Sequence, residues 1–60
     1  MRLVYANPEK THITVTLDEG ETLGLMNGPC VSSVPCDPDN IDYAAIIEQQ
    51  LSIDPYVPPS

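Results

Sequence analysis

The side chains able to move a proton, attack a substrate or hold a metal are few: one imidazole (His12), two thiols (Cys30 and Cys36) and nine carboxylates. General acid–base or nucleophilic chemistry needs a base within hydrogen-bond reach of its partner, and His12 falls on the polar face of an alternating stretch with no nucleophile in a recognisable turn beside it. It reads as a solvated strand residue. A structural zinc site takes four ligands, so two thiols and one distant imidazole leave it incomplete without a second subunit. A disulfide between Cys30 and Cys36 needs an oxidising compartment and suitable geometry; packed, reduced thiols are the simpler reading. Asp18, Glu19 and Glu21 form one acidic cluster, and Asp37, Asp39 and Asp42 another. A calcium loop over residues 37–48 would need alternating carboxylates, a Gly and a distal bidentate Glu, whereas here a helix begins inside the stretch. Capping and solvation account for both clusters. Pro55 and Pro58 have the spacing of a proline-rich ligand without the basic flank that such ligands carry. The chain therefore reads as non-enzymatic, with no catalytic residue, cofactor or metal.

The elements that position these residues follow from periodicity and turn chemistry. Asp37 is a good N-cap and Pro38 suits the first helical position, while Asp39 and Asp42 place negative charge near the positive end of the helix dipole. A helix over residues 38–51 puts Tyr43, Ala44, Ile47 and Leu51 in one stripe, with Asp42, Ala45, Glu48, Gln49 and Ser52 opposite. Residues 2–6 read as a short strand with Leu3 and Tyr5 on one face, and residues 11–17 as a strand with Ile13, Val15 and Leu17 on one face. Asn7-Pro8-Glu9-Lys10 is turn chemistry. Keeping Leu3 and Tyr5 on the apolar face requires an even-sum register, and hence an odd loop, most simply of five residues. Asp18-Glu19-Gly20 suits a three-residue hairpin loop with Gly20 left-handed. It would pair Val15 with Leu23, Ile13 with Leu25 and Thr16 with Thr22, making residues 21–26 the third strand.

The fold expected is thus α+β: a three-stranded antiparallel β-meander packed by one C-terminal helix. Residues 1–51 form a single small domain in this reading. Residues 30–34 are an extended connection or short edge strand. Pro55, Pro58 and Pro59 prevent the helix from continuing, so residues 52–60 form an extended arm. Its apolar Ile53, Tyr56, Val57 and Pro58 either fold back over the sheet or lie on a neighbour, and they are the candidate partner-binding residues. Asp37, Pro38, Tyr43, Ile47 and Leu51 are the candidate structural residues.

Sixty residues with no Trp, no Phe and three Tyr leave little apolar area to offset chain entropy. Domains of this size often lean on a partner. Nine acidic residues against Arg2 and Lys10 give a net charge of -7, which argues against nucleic acid and anionic membrane surfaces. An acidic surface suits solubility or docking on a basic protein face. No stretch approaches the roughly 20 apolar residues of a membrane span, and no apolar signal core follows Met1. The expectation is a protein synthesised in a cytoplasm.

The run Val34-Pro35-Cys36-Asp37-Pro38-Asp39-Asn40-Ile41-Asp42-Tyr43 resembles a motif of short proteins and C-terminal segments of tailed bacteriophages and prophages. There Val-Pro-x-Asp-x-x-Asn-x-x-Tyr precedes a short helix and a Pro-rich end. Val34, Pro35, Asp37, Asn40 and Tyr43 match, and residues 55–59 resemble the ending; the helix has no Trp and no Gly-Asn follows it. The resemblance implies a virion structural protein made in the host cytoplasm, a capsid decoration or tail component. Its implied partners are other phage structural proteins, bound in multiple copies. The alternative is a factor absent from the particle, such as a tail-fibre assembly chaperone or an acidic inhibitor of a host protein.

Overall fold

A computed structural model describes residues 1–58. Its order is β1 (Arg2–Tyr5), β2 (His12–Leu17), β3 (Thr22–Leu23), β4 (Met26–Asn27), β5 (Cys30–Pro35) and α1 (Ile41–Glu48). The α+β class holds: antiparallel sheets and one C-terminal helix.

The first hairpin follows the residue chemistry closely. Arg2 faces Thr16 and Tyr5 faces Ile13, and the Ala6 N–H donates to the His12 carbonyl at 2.9 Å, leaving the five-residue loop 7–11. Asn7 organises that loop, because its Oδ1 accepts from the Thr11 N–H at 3.0 Å while its carbonyl accepts from the Lys10 N–H at 3.2 Å. Asn side chains favour turns by bonding nearby main chain, here at a reach of four residues.

The third strand is where the structure departs from the pattern. β2 pairs with β5, not with residues 21–26: Ile13 faces Val34, Val15 faces Ser32 and Leu17 faces Cys30, giving the order β1-β2-β5. Gly20 is left-handed as expected, at φ 85°, but the turn sits one residue later, centred on Glu19 and Gly20 instead of Asp18 and Glu19, with the Glu21 N–H donating to the Asp18 carbonyl at 3.0 Å. It does not, however, return the chain along β2. Instead β3 and β4 make a separate two-stranded ribbon, with Leu23 facing Met26 and Gly24, at φ 58°, in the turn between them. A two-residue turn with Gly first is one that twists with its strands. Gly24 is therefore a turn residue rather than a strand interior, and Leu25, expected opposite Ile13, is 74% exposed.

The helix is shorter than 38–51 and starts later. Asn40, not Asp37, is its N-cap: the Asn40 Oδ1 accepts from the N–H groups of Asp42 (3.0 Å) and Tyr43 (3.1 Å). Asp37 caps the preceding turn instead, accepting from the Asp39 N–H at 2.9 Å, and Pro38 lies in that turn. At the far end the Leu51 N–H donates to the Ile46 carbonyl and the Gln50 N–H to the Ile47 carbonyl, each at 3.1 Å. Gln50 takes φ 54°. This is the Schellman arrangement with Gln in the position usually given to Gly, and it stops the helix before Leu51.

The core comprises Leu3, Ile13, Val15, Leu17, Leu23, Val34 and Ile46. One residue from α1 is fully buried, Ile46 at 1% exposure, whereas Ile47 is 54% exposed. The helix is therefore rotated from the stripe read by periodicity: Ala45, expected to face away, packs against the core, and Ala44 and Ile47, expected to face it, are exposed. Past the helix the chain returns to the outer edge of β1, where the Tyr5 N–H donates to the Asp54 carbonyl (3.0 Å) and the Asp54 N–H to the Leu3 carbonyl (2.9 Å). An otherwise open strand edge is covered by this return.

Candidate functional site

The rotation of α1 leaves an apolar face pointing outward. Pro38, Tyr43, Ala44, Ile47 and Glu48 line a shallow open groove of about 470 Å³. The preceding turn brings Pro38 against the helix, since the Asn40 N–H bonds the Asp37 carbonyl at 2.8 Å. On the helix, Ala44, Ile47 and Glu48 fall at the i, i+3, i+4 spacing that shares one face. Tyr43 is half-buried, packed partly against the core while also lining the groove. Glu48 lies at the rim, and Asp37 and Asp39 are exposed on the same turn as Pro38.

Of the residues marked from sequence, Pro38, Tyr43 and Ile47 converge on this groove. Leu51 and Ile53 pack partly against the core, and Tyr56 is half-buried. Val57, at 74% exposure, and Pro58 face solvent. Ile53 is thus engaged within its own chain, and the return of residues 53–54 to β1 shows where the first part of the arm lies. Pro59 falls outside the described residues. Ala44 and Glu48 complete the groove and were not marked; their spacing from Ile47 was the available signal, hidden by assigning Ala44 and Ile47 to the core.

The residues considered for chemistry stand apart. His12 is exposed on β2, and its Nδ1 lies 2.9 Å from the Thr11 hydroxyl. Cys30 and Cys36 are free thiols near opposite ends of β5, and six steps of extended chain span roughly 20 Å. A disulfide requires Cα atoms within about 7 Å, so these two are not paired with each other. Burial pushes the Cys36 thiol above its ordinary pKa, which disfavours the reactive thiolate. Among the described residues no three His, Cys, Asp or Glu side chains gather as a metal site.

The acidic tip is held by a cation of the main chain. The α-amino group of Met1 lies 2.5 Å from a Glu21 carboxylate oxygen and 3.6 Å from Asp18 Oδ2. The hydrogen bond from that ammonium, reinforced by the Asp18 N–H, lowers the Glu21 pKa; the bond to Glu21 raises that of the Met1 amine.

No family model, no curated protein and no solved structure matches this chain. Among the described residues no helix is long and apolar enough to cross a membrane.

Proposed function

We propose that the chain is a non-enzymatic docking module of a tailed-phage particle, a capsid decoration or tail component that binds other phage structural proteins in multiple copies. The observation that carries the docking role is the outward groove formed by Tyr43, Ala44 and Ile47 of α1 with Pro38 of the turn before it. In a domain with so small a core, apolar side chains left in a groove on its one helix are better used against a partner than left in water. The carboxylates of Glu48, Asp37 and Asp39 beside it and the net charge of -7 select a partner presenting an apolar knob within a basic surround. Val57 and Pro58, exposed beyond the β1 edge, offer a second apolar contact. The phage setting is supported by the Val34-Pro35 to Tyr43 motif, whose Asn40 is the helix N-cap.

Two measurements test this reading. Mass spectrometry of purified particles should find the chain at a fixed stoichiometry, and light scattering should show it associating with capsid or tail proteins. Ile47→Asp should abolish that association without unfolding the domain. A chain absent from particles but present in infected cells would instead be an assembly factor or an inhibitor. Undiminished association of Ile47→Asp would remove the groove from the account.

A further inference from the structure

We propose that the outer edge of β5 accepts an added β-strand from a partner protein, and that the incoming segment is uncharged over about five residues and bracketed on both sides by lysine or arginine. This surface is separate from the helix groove and does not depend on the phage setting.

Register determines which backbone groups are available. The Cys36 N–H donates to the Thr11 carbonyl at 2.8 Å, and the β2–β5 pairing continues from there with Ile13 facing Val34, Val15 facing Ser32 and Leu17 facing Cys30. In an antiparallel ladder, hydrogen-bonded pairs alternate with pairs whose groups point away. The even-numbered residues of β5 therefore bond β2, and Val31, Ser33 and Pro35 direct their backbone groups outward. The same alternation on the far side of the sheet leaves Leu3 and Tyr5 facing outward from β1, and there Asp54 meets both. One edge of the sheet is covered by the chain itself. At the other, no backbone partner reaches Val31 or Ser33 among the described residues, and both are exposed.

The edge is protected by proline at its end alone. Strand edges are commonly blunted by charge, bulges or proline, yet Cys30-Val31-Ser32-Ser33-Val34-Pro35 carries no charge. Pro35 contributes a carbonyl and no donor, so it limits the length of an added ladder without closing it. Val31 and Ser33 offer both donor and acceptor, which is the requirement for strand addition.

Charge then distinguishes among occupants. Leu17 faces Cys30, so the acidic tip with Asp18, Glu19 and Glu21 lies beyond one end of β5, where the Met1 amine offsets part of its charge. Asp37 and Asp39 lie beyond the other end, both exposed. Lys10 is engaged over the Tyr5 ring, 5.4 Å from its centroid, on the β1 side of the sheet. A second copy paired antiparallel about a two-fold axis would set the Asp37 end of each chain beside the acidic tip of the other, and like charges would oppose it. A segment with basic flanks meets carboxylates at both ends.

The test uses the full chain and a synthetic peptide with two lysines on each side of a Val-Thr-Val-Thr-Val segment. Amide hydrogen exchange should show Val31 and Ser33 exchanging rapidly in the free protein and protected with the peptide, and binding should weaken as salt rises. Replacing the lysines by glutamates should abolish binding. Ser33→Pro removes an outward donor and no β2 bond, and should lower affinity about fivefold. N-methylating the peptide's edge-facing amides tests the same bonds with the protein unaltered. The proposal is overturned by no protection at Val31 and Ser33, by equal binding of the glutamate or N-methyl peptide, or by protection that grows with protein concentration alone, which would identify a second copy. Protection confined to Tyr43 and Ile47 would overturn it too, while leaving the helix groove standing.

Discussion

Adjacent isoleucines on α1 offer a sharp test of how the helix is seated. Ile46 is 1% exposed and Ile47 is 54% exposed, so truncating each to alanine removes the same atoms from opposite environments. Ile46 is the single fully buried side chain joining the helix to the sheet, and its loss leaves a cavity between layers that a small core has little material to refill. Buried Ile→Ala changes cost about 2–5 kcal/mol. A domain of this length has roughly 3–9 kcal/mol in total, so Ile46→Ala should consume a large part of the stability and lower the folded-to-unfolded ratio at least about 30-fold. Ile47→Ala should fall within about 0.5 kcal/mol of the parent. Urea unfolding followed by circular dichroism measures both through the midpoint, provided the slope is unchanged. Comparable losses for the two variants, or the larger loss for Ile47→Ala, would refute the seating of the helix and with it the outward groove.

Asn40→Ala should cost about 1 kcal/mol by stripping the cap from the Asp42 and Tyr43 N–H groups, and Asp37→Ala should cost less, because its bond closes a turn outside the helix; urea midpoints of the two variants rank them. Gly24→Ala places a methyl against Asp42, 2.9 Å from its Cα and closer still to its carboxylate, at φ +58°, and should destabilise by about 1–3 kcal/mol, read by thermal melting. The same substitution at Gly20, also left-handed but with open space around it, should cost less than at Gly24. For Glu21, folding lowers the pKa from 4.5, so its contribution is present above that value and lost as pH falls through the lowered one. The Met1 amine is raised from 8.0, so its contribution is complete below 8.0 and lost as pH rises through the raised value. The difference in Tm between parent and Glu21→Gln should therefore be widest between these limits, shrink at both ends and shrink with salt; a gap constant from acid to alkaline pH would contradict the pairing.

Several residues acting through their immediate neighbours were legible in the sequence, although the helix cap and the turn at Gly24, equally local, were not: the cap is Asn40 instead of Asp37. Asn7 and Pro8 marked the turn, and the shared apolar face of Leu3, Tyr5, Ile13, Val15 and Leu17 set the even-sum register and with it an odd loop. Gly20 took the left-handed position expected of it. Each depends on backbone sterics or on a hydrogen bond spanning a few residues, so each is written into a short stretch. The candidate site was legible in part: Pro38, Tyr43 and Ile47 were singled out, but as structural residues.

Choices between distant segments were decided only in three dimensions. Residues 21–26 present Leu23 and Leu25 at alternate positions, whereas in residues 30–35 Ser32 interrupts Cys30 and Val34, so period favours the segment that does not lie beside β2. Gly24 turns the first segment into its own ribbon, leaving β2 to Cys30–Pro35. Likewise Ile46 and Ile47 are one step apart on a helix whose apolar arc is broad, and the sheet beneath selects Ile46. Local chemistry determined the turns and the first hairpin; the third strand, the helix rotation and the faces left open depended on competition for one small core, in which burying one segment exposes another.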